Sequence, residues 1–222
     1  MIWRWVIFFS LGLWPSPPVN GVATVTGSVE ISNSKDAAVR RNKDYSGVVV
    51  WLERIDRSTP APPLVPKRVQ MVQKDRHFQP HVIAVPMGST VEFPNRDPIL
   101  HHVYSFSPAK PFEIKLYSGK SPREIVFDKP GVVTLGCNIH DWMVGFVLVV
   151  STPYFARSDS TGHARIAELP AGRYELHAWH PRERSSVAPQ SIAVEGAASS
   201  AFVIDAAPRR PRYKPPLDRL KY

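Results

Sequence analysis

One short segment, Cys137-Asn-Ile-His140-Asp-Trp-Met143, places a thiol, an imidazole and a thioether at regular spacing. The chain has one cysteine, eight histidines and four methionines in 222 residues. Composition alone would put histidine and methionine at these two positions less than about once in a thousand sequences, so we treat the pattern as a motif. A thiolate, imidazoles and a thioether together favour copper, with the thioether as a weak axial ligand. The segment therefore predicts a copper site.

Such a site needs a second imidazole from elsewhere in the chain. The candidates are His101 and His102, which follow Asn95-Arg-Asp-Pro-Ile-Leu. Successive side chains on a strand point to opposite faces, so only one of the two can bind the metal in a given register.

The rest of the chain consists of short apolar, β-branched segments separated by glycine- and proline-rich turns. This pattern is typical of an all-β fold built as a sandwich or small barrel. Residues 58–66 contain four prolines and predict a stiff linker. Residues 207–222 are rich in proline and arginine without apolar periodicity, which predicts a disordered tail.

Composition excludes several classes of protein. A hydrophobic content of 43% is sufficient for a packed core, and a single cysteine excludes an intramolecular disulfide or a multi-cysteine zinc or iron–sulfur site. The formal net charge is +9, but six basic residues and one aspartate lie in the tail. Because the charge is concentrated in this short tail, we do not expect nucleic-acid binding.

The N-terminus has the features of an export signal. Arg4 precedes an apolar run over residues 5–14, which is too short to span a bilayer comfortably. Small residues allow cleavage after Ala23 or after Gly21, and we assign residues 1–23 as the signal peptide. An uncleaved anchor helix is the alternative. We expect a periplasmic protein with no transmembrane span in the mature chain.

Residues 69–150 resemble the cupredoxins, the small blue (type 1) copper proteins such as plastocyanin, pseudoazurin and especially amicyanin. The resemblance rests on the segment Val85-Pro-Met-Gly88-Ser-Thr-Val91-Glu-Phe-Pro-Asn95 and on the C-x2-H-x2-M motif. It implies a Greek-key β-sandwich and one type 1 copper ion bound by His101, Cys137, His140 and Met143. The same segment is similar to cupredoxin-domain proteins labelled methylamine utilization proteins.

The sequence departs from this family at one position. Plastocyanin-like proteins carry asparagine after the first histidine ligand, and this chain carries His102. In the family that asparagine ties the two ligand loops together, so this tie is in question here. The resemblance favours His101 as the ligand and leaves His102 to brace a loop or to be partly exposed.

A second resemblance concerns the flanks. The segments Asp159-Ser-Thr-Gly162-His-Ala-Arg-Ile166 and Leu169-Pro-Ala-Gly172-Arg-Tyr174 are similar to the carboxypeptidase-regulatory-like (transthyretin-like) β-sandwich. Matching first strands, Thr26-Gly-Ser-Val29 and Val48-Val-Val-Trp51-Leu52, precede the cupredoxin-like part. We therefore expect a cupredoxin domain over residues 67–150, inserted into an immunoglobulin- or transthyretin-like sandwich formed by residues 24–57 and 151–206. Plain tandem order is the alternative.

These features predict an exported copper protein that carries single electrons to and from a redox partner, and not an enzyme. The alternative is a periplasmic copper chaperone, buffer or sensor without an electron-transfer role. The basic tail could attract an acidic partner or the envelope surface through screened charge, or could simply add solubility. Nothing in the sequence indicates the oligomeric state.

Overall fold

The structure is a computed structural model that describes residues 23–34, 36–56, 62–119 and 123–206. Residues 1–22 of the predicted signal peptide and the predicted tail over residues 207–222 lie outside the described residues. Within the described part, no helix is long and apolar enough to cross a membrane.

Nearly all regular structure in the described residues is β-strand, and the prediction of an all-β fold is confirmed. The first strands are β1 (Ala23–Ser32), β2 (Val49–Arg54), β3 (Arg68–Gln70), β4 (Val72–Lys74), β5 (His77–Gln79), β6 (Val82–Pro86), β7 (Ser89–Phe93) and β8 (His101–Ser105). They are followed by β9 (Phe112–Tyr117), β10 (Arg123–Phe127), β11 (Gly131–Cys137), β12 (His140–Val150), β13 (Phe155–Arg157), β14 (His163–Leu169), β15 (Gly172–Trp179), β16 (Gln190–Val194) and β17 (Ala197–Asp205). One short helix, α1 (Ala37–Asn42), connects β1 to β2.

Strands from both ends of the chain pair with each other. One sheet has the order β14-β1-β17 and the other β13-β2-β15-β16. Buried side chains from these two sheets form one apolar core, including Val25, Val50, Leu52, Ile166, Tyr174, Leu176 and Ile204. β1 and β2 thus hydrogen-bond to strands that follow residue 150.

The middle of the chain forms a second pair of sheets. A five-stranded sheet has the order β6-β12-β11-β8-β9, and a three-stranded sheet has the order β10-β7-β3. Between them lies a separate core that includes Met71, Phe78, Phe93, Val103, Phe127, Leu135 and Val147. The hairpin of β4 and β5 packs on this body next to β12. The assignment of the two bodies to named domains, with the boundaries given above, stays a prediction.

The two bodies pack together through β2 and β12. Val50 lies in the first core, whereas its neighbour Val49 joins a third apolar cluster with Leu148 and Val150 of β12. Both faces are therefore covered at the start of β2, which explains why Val48, Val49 and Val50 are consecutive β-branched residues without polar alternation. The half-buried rings of Trp51, Phe146, Phe155 and Trp179 pack against this third cluster.

Candidate metal centre

Three of the four predicted ligands are carried by neighbouring strands at one end of the five-stranded sheet. Cys137 is the last residue of β11 and His140 the first of β12, so a two-residue turn brings them opposite each other. His101 begins β8, which runs antiparallel to β11. Because antiparallel neighbours place the start of one strand beside the end of the next, His101 lies next to Cys137.

The donor atoms of these residues converge. The Cys137 Sγ atom lies 3.8 Å from Nδ1 of His101 and 3.6 Å from Nδ1 of His140. One donor atom from each residue lies within 4.8 Å of the other two. Among the described residues, no other cluster of three or more His, Cys, Asp or Glu side chains meets this criterion.

These separations fit a single metal ion. Metal–thiolate and metal–imidazole bonds of about 2.3 and 2.0 Å, at angles of about 110–120°, hold sulfur and nitrogen donors about 3.5–3.7 Å apart. The distance of 3.6 Å to His140 lies within this range, and the distance of 3.8 Å to His101 lies just above it. One thiolate with two imidazoles suits a soft or borderline transition metal and does not suit magnesium or calcium, which prefer oxygen.

The centre is buried on one side and open on the other. His101 is 0% exposed and Cys137 is 2% exposed, whereas His140 is half-buried. Burial lowers the pKa of His140, and the electrostatic effects of His101 and Arg76 act in the same direction, whereas the charge of Asp97 acts against them. A lower pKa keeps His140 neutral near pH 7, which is the form that can bind a metal.

Met143, the fourth predicted ligand, lies on the buried side of β12. It is 1% exposed and belongs to the same apolar core as Cys137. Its place in that core is consistent with ordinary packing as well as with a weak thioether contact. The roles of His101, Cys137, His140 and Met143 as ligands stay predictions.

Sequence reasoning missed Asp97, which contacts the outer nitrogen of His101. Its Oδ2 atom lies 2.7 Å from Nε2 of His101. The same carboxylate accepts hydrogen bonds from the backbone N–H groups of Asp75, at 2.7 Å, and Arg76, at 2.9 Å. The only sequence signal is an aspartate in the loop before the histidine pair. No spacing rule connects a loop carboxylate to a ring four residues later.

The charge on Asp97 is stabilised by these contacts. Burial raises the pKa of Asp97, but hydrogen bonds from the N–H of Arg76, from His101 and from the N–H of Asp75 outweigh it. The pKa therefore lies below its ordinary value, and Asp97 is a carboxylate at neutral pH.

His102 points away from the cluster. Its Nε2 atom lies 2.8 Å from Oε1 of Glu113 on β9, so it links β8 to its edge neighbour. Its Nδ1 atom is buried without a hydrogen-bond partner among the described residues. His102 is 5% exposed, so of the two expected alternatives, a bracing role or partial exposure, it does not show partial exposure. Because it bonds to β9, His102 does not replace the asparagine tie between the ligand loops.

Three exposed apolar residues lie next to or near the two histidine candidates in the chain: Leu100 precedes His101, Ile139 precedes His140, and Trp142 follows two residues after His140. Leu100, Ile139 and Trp142 are 46%, 47% and 55% exposed. The Trp142 ring packs edge-on against His140, with ring centroids 5.4 Å apart. We call these three side chains the apolar rim. Large exposed apolar residues grouped around one partly exposed ring are typical of a contact surface.

The chain matches no protein-family model and no curated protein. It is similar to the solved structure of the Cu-containing nitrite reductase (NirK) from Thermus scotoductus SA-01, with 28% sequence identity and a TM-score of 0.35. The match covers 44% of this chain and 25% of that chain. This chain spans about a quarter of that reductase. A purple cupredoxin from Nitrosopumilus maritimus has 25% identity over 36% of this chain and 96% of that chain, with a TM-score of 0.33.

A reduced tryptophan-to-tyrosine mutant of amicyanin has 17% identity over 45% of this chain and 98% of that chain, with a TM-score of 0.36. Each of these likenesses extends over less than half of this chain.

Proposed function

We propose that this chain is a type 1 copper protein that carries single electrons and that residues 67–150 form its cupredoxin domain. In this proposal Cys137 provides the thiolate, His101 and His140 provide the two imidazoles, and Met143 is the weak axial ligand. Bound copper would supply one-electron exchange between Cu(II) and Cu(I).

The observation that carries this proposal is the convergence of one Sγ and two Nδ1 atoms. Both histidines turn Nδ1, and not Nε2, towards the Cys137 sulfur, at 3.8 and 3.6 Å. The three residues belong to three strands of one sheet, which restricts how far they can move. A preorganised set of donors reduces the rearrangement that accompanies a change of charge.

The surface around His140 supports exchange of electrons with a partner protein. His140 is the ligand candidate nearest to solvent, and it contacts the exposed ring of Trp142. An apolar rim lets a partner approach the imidazole edge after losing little polar hydration. We therefore propose that the redox partner docks here and that electrons pass through the His140 ring.

The remaining elements of this proposal rest on the sequence. The signal-like residues 1–23 support export to the periplasm. We assign electron transfer and no catalytic reaction to the chain, because one thiolate, two imidazoles and a weak axial thioether form the ligand set typical of electron-transfer copper sites. The basic tail would add a weak, salt-dependent attraction to an acidic partner or to the envelope surface.

Loading the purified mature protein with Cu(II) tests the proposal. We expect an intense thiolate-to-copper band in the visible spectrum and a type 1 EPR signal at one equivalent of copper. Both should be absent in Cys137→Ser, whereas His163→Gln, at the exposed first residue of β14 on the other body, should retain them. A colourless loaded protein would contradict the proposal.

Exchange kinetics separate electron transfer from copper delivery. An electron carrier should show fast self-exchange and should lose Cu(I) slowly to a chelator. A chaperone or buffer should release Cu(I) readily to a chelator or to an acceptor protein, and this result would replace the proposed function with copper storage or delivery.

A further inference from the structure

We propose that Asp97 is a positioning residue of the metal centre: its carboxylate fixes the tautomer and ring orientation of His101 and places a negative charge behind that imidazole. The inference about orientation rests on the geometry of the side chains themselves, and the inference about redox tuning rests also on the proposed function. Both concern the single contact of 2.7 Å between Asp97 Oδ2 and His101 Nε2.

The contact between these two side chains is sheltered from water. The Asp97 side chain is 8% exposed and the His101 side chain is 0% exposed. A hydrogen bond to a charged acceptor is stronger and more directional in such surroundings than at the surface. The ring of His101 is therefore held from its outer edge while its inner edge faces Cys137.

Asp97 is itself held by two backbone donors. Its Oδ1 atom accepts from the N–H of Asp75, and its Oδ2 atom accepts from the N–H of Arg76. Asp75 and Arg76 form the two-residue turn between β4 and β5 and have φ angles of 55° and 57°. Non-glycine residues rarely adopt this left-handed conformation, and here it directs two consecutive N–H groups at one carboxylate.

A second side chain fixes the loop that carries Asp97. Asn95 is 1% exposed, and its Oδ1 atom accepts from the N–H of Asp97 at 2.9 Å. Its Nδ2 atom donates to the carbonyls of Ile99, at 2.8 Å, and Tyr117, at 3.1 Å. The loop is thereby tied to the end of β9, so the position of Asp97 does not depend on the hairpin alone.

These contacts determine which ring nitrogen of His101 carries the proton. A carboxylate accepts and does not donate, so Nε2 must be the protonated nitrogen. In the neutral ring Nδ1 is then the nitrogen without a proton, and its lone pair faces the Cys137 sulfur, which is the form that a metal bound beside that sulfur requires. Carboxylate partners of this kind orient histidine ligands and increase their basicity.

The negative charge of Asp97 would affect the relative stability of Cu(II) and Cu(I) in the proposed site. A carboxylate one hydrogen bond away from a ligand stabilises the more positive state of the site more than the less positive one. Replacing it with a neutral group should therefore raise the reduction potential. Each tenfold change in the ratio of Cu(II) to Cu(I) affinities corresponds to about 59 mV for one electron.

The first experiment needs no copper. Long-range ¹⁵N–¹H NMR spectra of the metal-free protein report the tautomer of each histidine, and His101→Gln assigns the signal. We expect His101 to be the Nε2–H tautomer with a slowly exchanging, downfield ring proton. An Nδ1–H tautomer, or rapid averaging of the two, would overturn the inference about orientation.

The second experiment compares Asp97→Asn with Asp128→Asn. Asp128 is 65% exposed, pairs with Lys110, and follows β10 next to the start of β11, at the end of that strand away from Cys137. We expect Asp97→Asn to weaken Zn(II) binding about 10–100-fold and to lose the single His101 tautomer. Asp128→Asn should leave both unchanged. Wild-type zinc affinity in a folded Asp97→Asn protein would overturn the inference, and if this variant does not fold, the tautomer of the wild-type protein still decides.

The same variants separate the two proposals. If the protein gives no type 1 spectrum but Asp97→Asn still weakens zinc binding, the proposed function fails and the orienting role of Asp97 stands. If the copper protein is blue and Asp97→Asn leaves its potential unchanged, the redox-tuning role of Asp97 fails and the proposed function stands.

Discussion

The ring of Tyr104 lies where a side chain on Gly136 would have to be placed. A Cβ atom on Gly136 would lie 2.6 Å from Cζ of Tyr104. The two residues are partners across β8 and β11, and Gly136 directly precedes Cys137. Tyr104 is 4% exposed and has little room to move. The close approach of the two strands that carry His101 and Cys137 therefore depends on a glycine at this position.

Substituting this glycine should disturb both the fold and the site. We expect Gly136→Ala to lower the free energy of unfolding by about 1–3 kcal/mol, because the ring or the strand must shift to avoid overlap. Zinc affinity should fall in the same variant, since Cys137 is the next residue. Urea denaturation and zinc titration measure the two effects. Gly196→Ala, where a Cβ would meet nothing within 4 Å, is the matched control, and equal stability of the two variants would contradict the prediction.

Met143 should tune the proposed copper site without being required for binding. Met143→Leu nearly conserves volume, so we expect less than about 1.5 kcal/mol of destabilisation in this 1%-exposed position. Removing a weak axial thioether should leave the visible colour and raise the reduction potential. Spectroscopy and protein-film voltammetry measure these quantities. Complete loss of copper binding in Met143→Leu would contradict the prediction, because it would show that Met143 is required for binding and is not a weak axial ligand.

The apolar rim should control the rate of electron exchange and not the metal site itself. In Trp142→Ala we expect the copper spectrum to persist and electron self-exchange to slow about tenfold, because an exposed contact residue is lost. NMR line broadening in mixtures of reduced and oxidised protein measures the rate. Leu116→Ser, at a 50%-exposed residue of β9, is the control. Equal rates in wild type and Trp142→Ala would show that the rim is not the route.

The free energy of unfolding should decrease in mild acid because His180 resists protonation in the folded protein. Burial, reinforced by the positive charges of Arg182 and His81, lowers the pKa of His180 from 6.5 to about 4. His180 lines a cleft of ≈ 260 Å³, and Asp36 and His81 line the same cleft. As the pH falls, the unfolded chain binds a proton at His180 at a higher pH than the folded chain does. The free energy of unfolding is therefore greatest above about pH 6.5 and decreases as the pH falls towards about 4.

The expected loss for this one group is at most about 3 kcal/mol. Urea denaturation of the metal-free protein at several pH values between 7 and 4.5 measures it. The pH dependence should be shallower in His180→Gln than in wild type, whereas His163→Gln, at an exposed position, should follow the wild-type curve. Parallel curves for wild type and His180→Gln would show that another group causes the acid sensitivity.

The run Val48-Val-Val-Trp51 illustrates how far the sequence predicts the fold. A β-branched segment without polar alternation indicates a strand that is buried on both faces, and the first two residues of β2, Val49 and Val50, are buried on opposite faces. The segment does not reveal what covers each face. Val50 packs into the core of its own body, while Val49 packs against Leu148 and Val150 of β12, about a hundred residues later. That contact depends on how two separate bodies dock.

Within the candidate site, the sequence by itself determined the short-range part. Cys137, His140 and Met143 lie within seven residues, so their types and spacing indicate a soft-metal site wherever the segment folds. The tertiary structure alone decided the rest. The register of β8 against β11 brings Nδ1 of His101 to the Cys137 sulfur and directs His102 to Glu113. The meeting of a loop with the β4–β5 turn brings Asp97 to the back of the ring. Contacts between distant segments depend on strand pairing and packing, which local residue patterns do not encode.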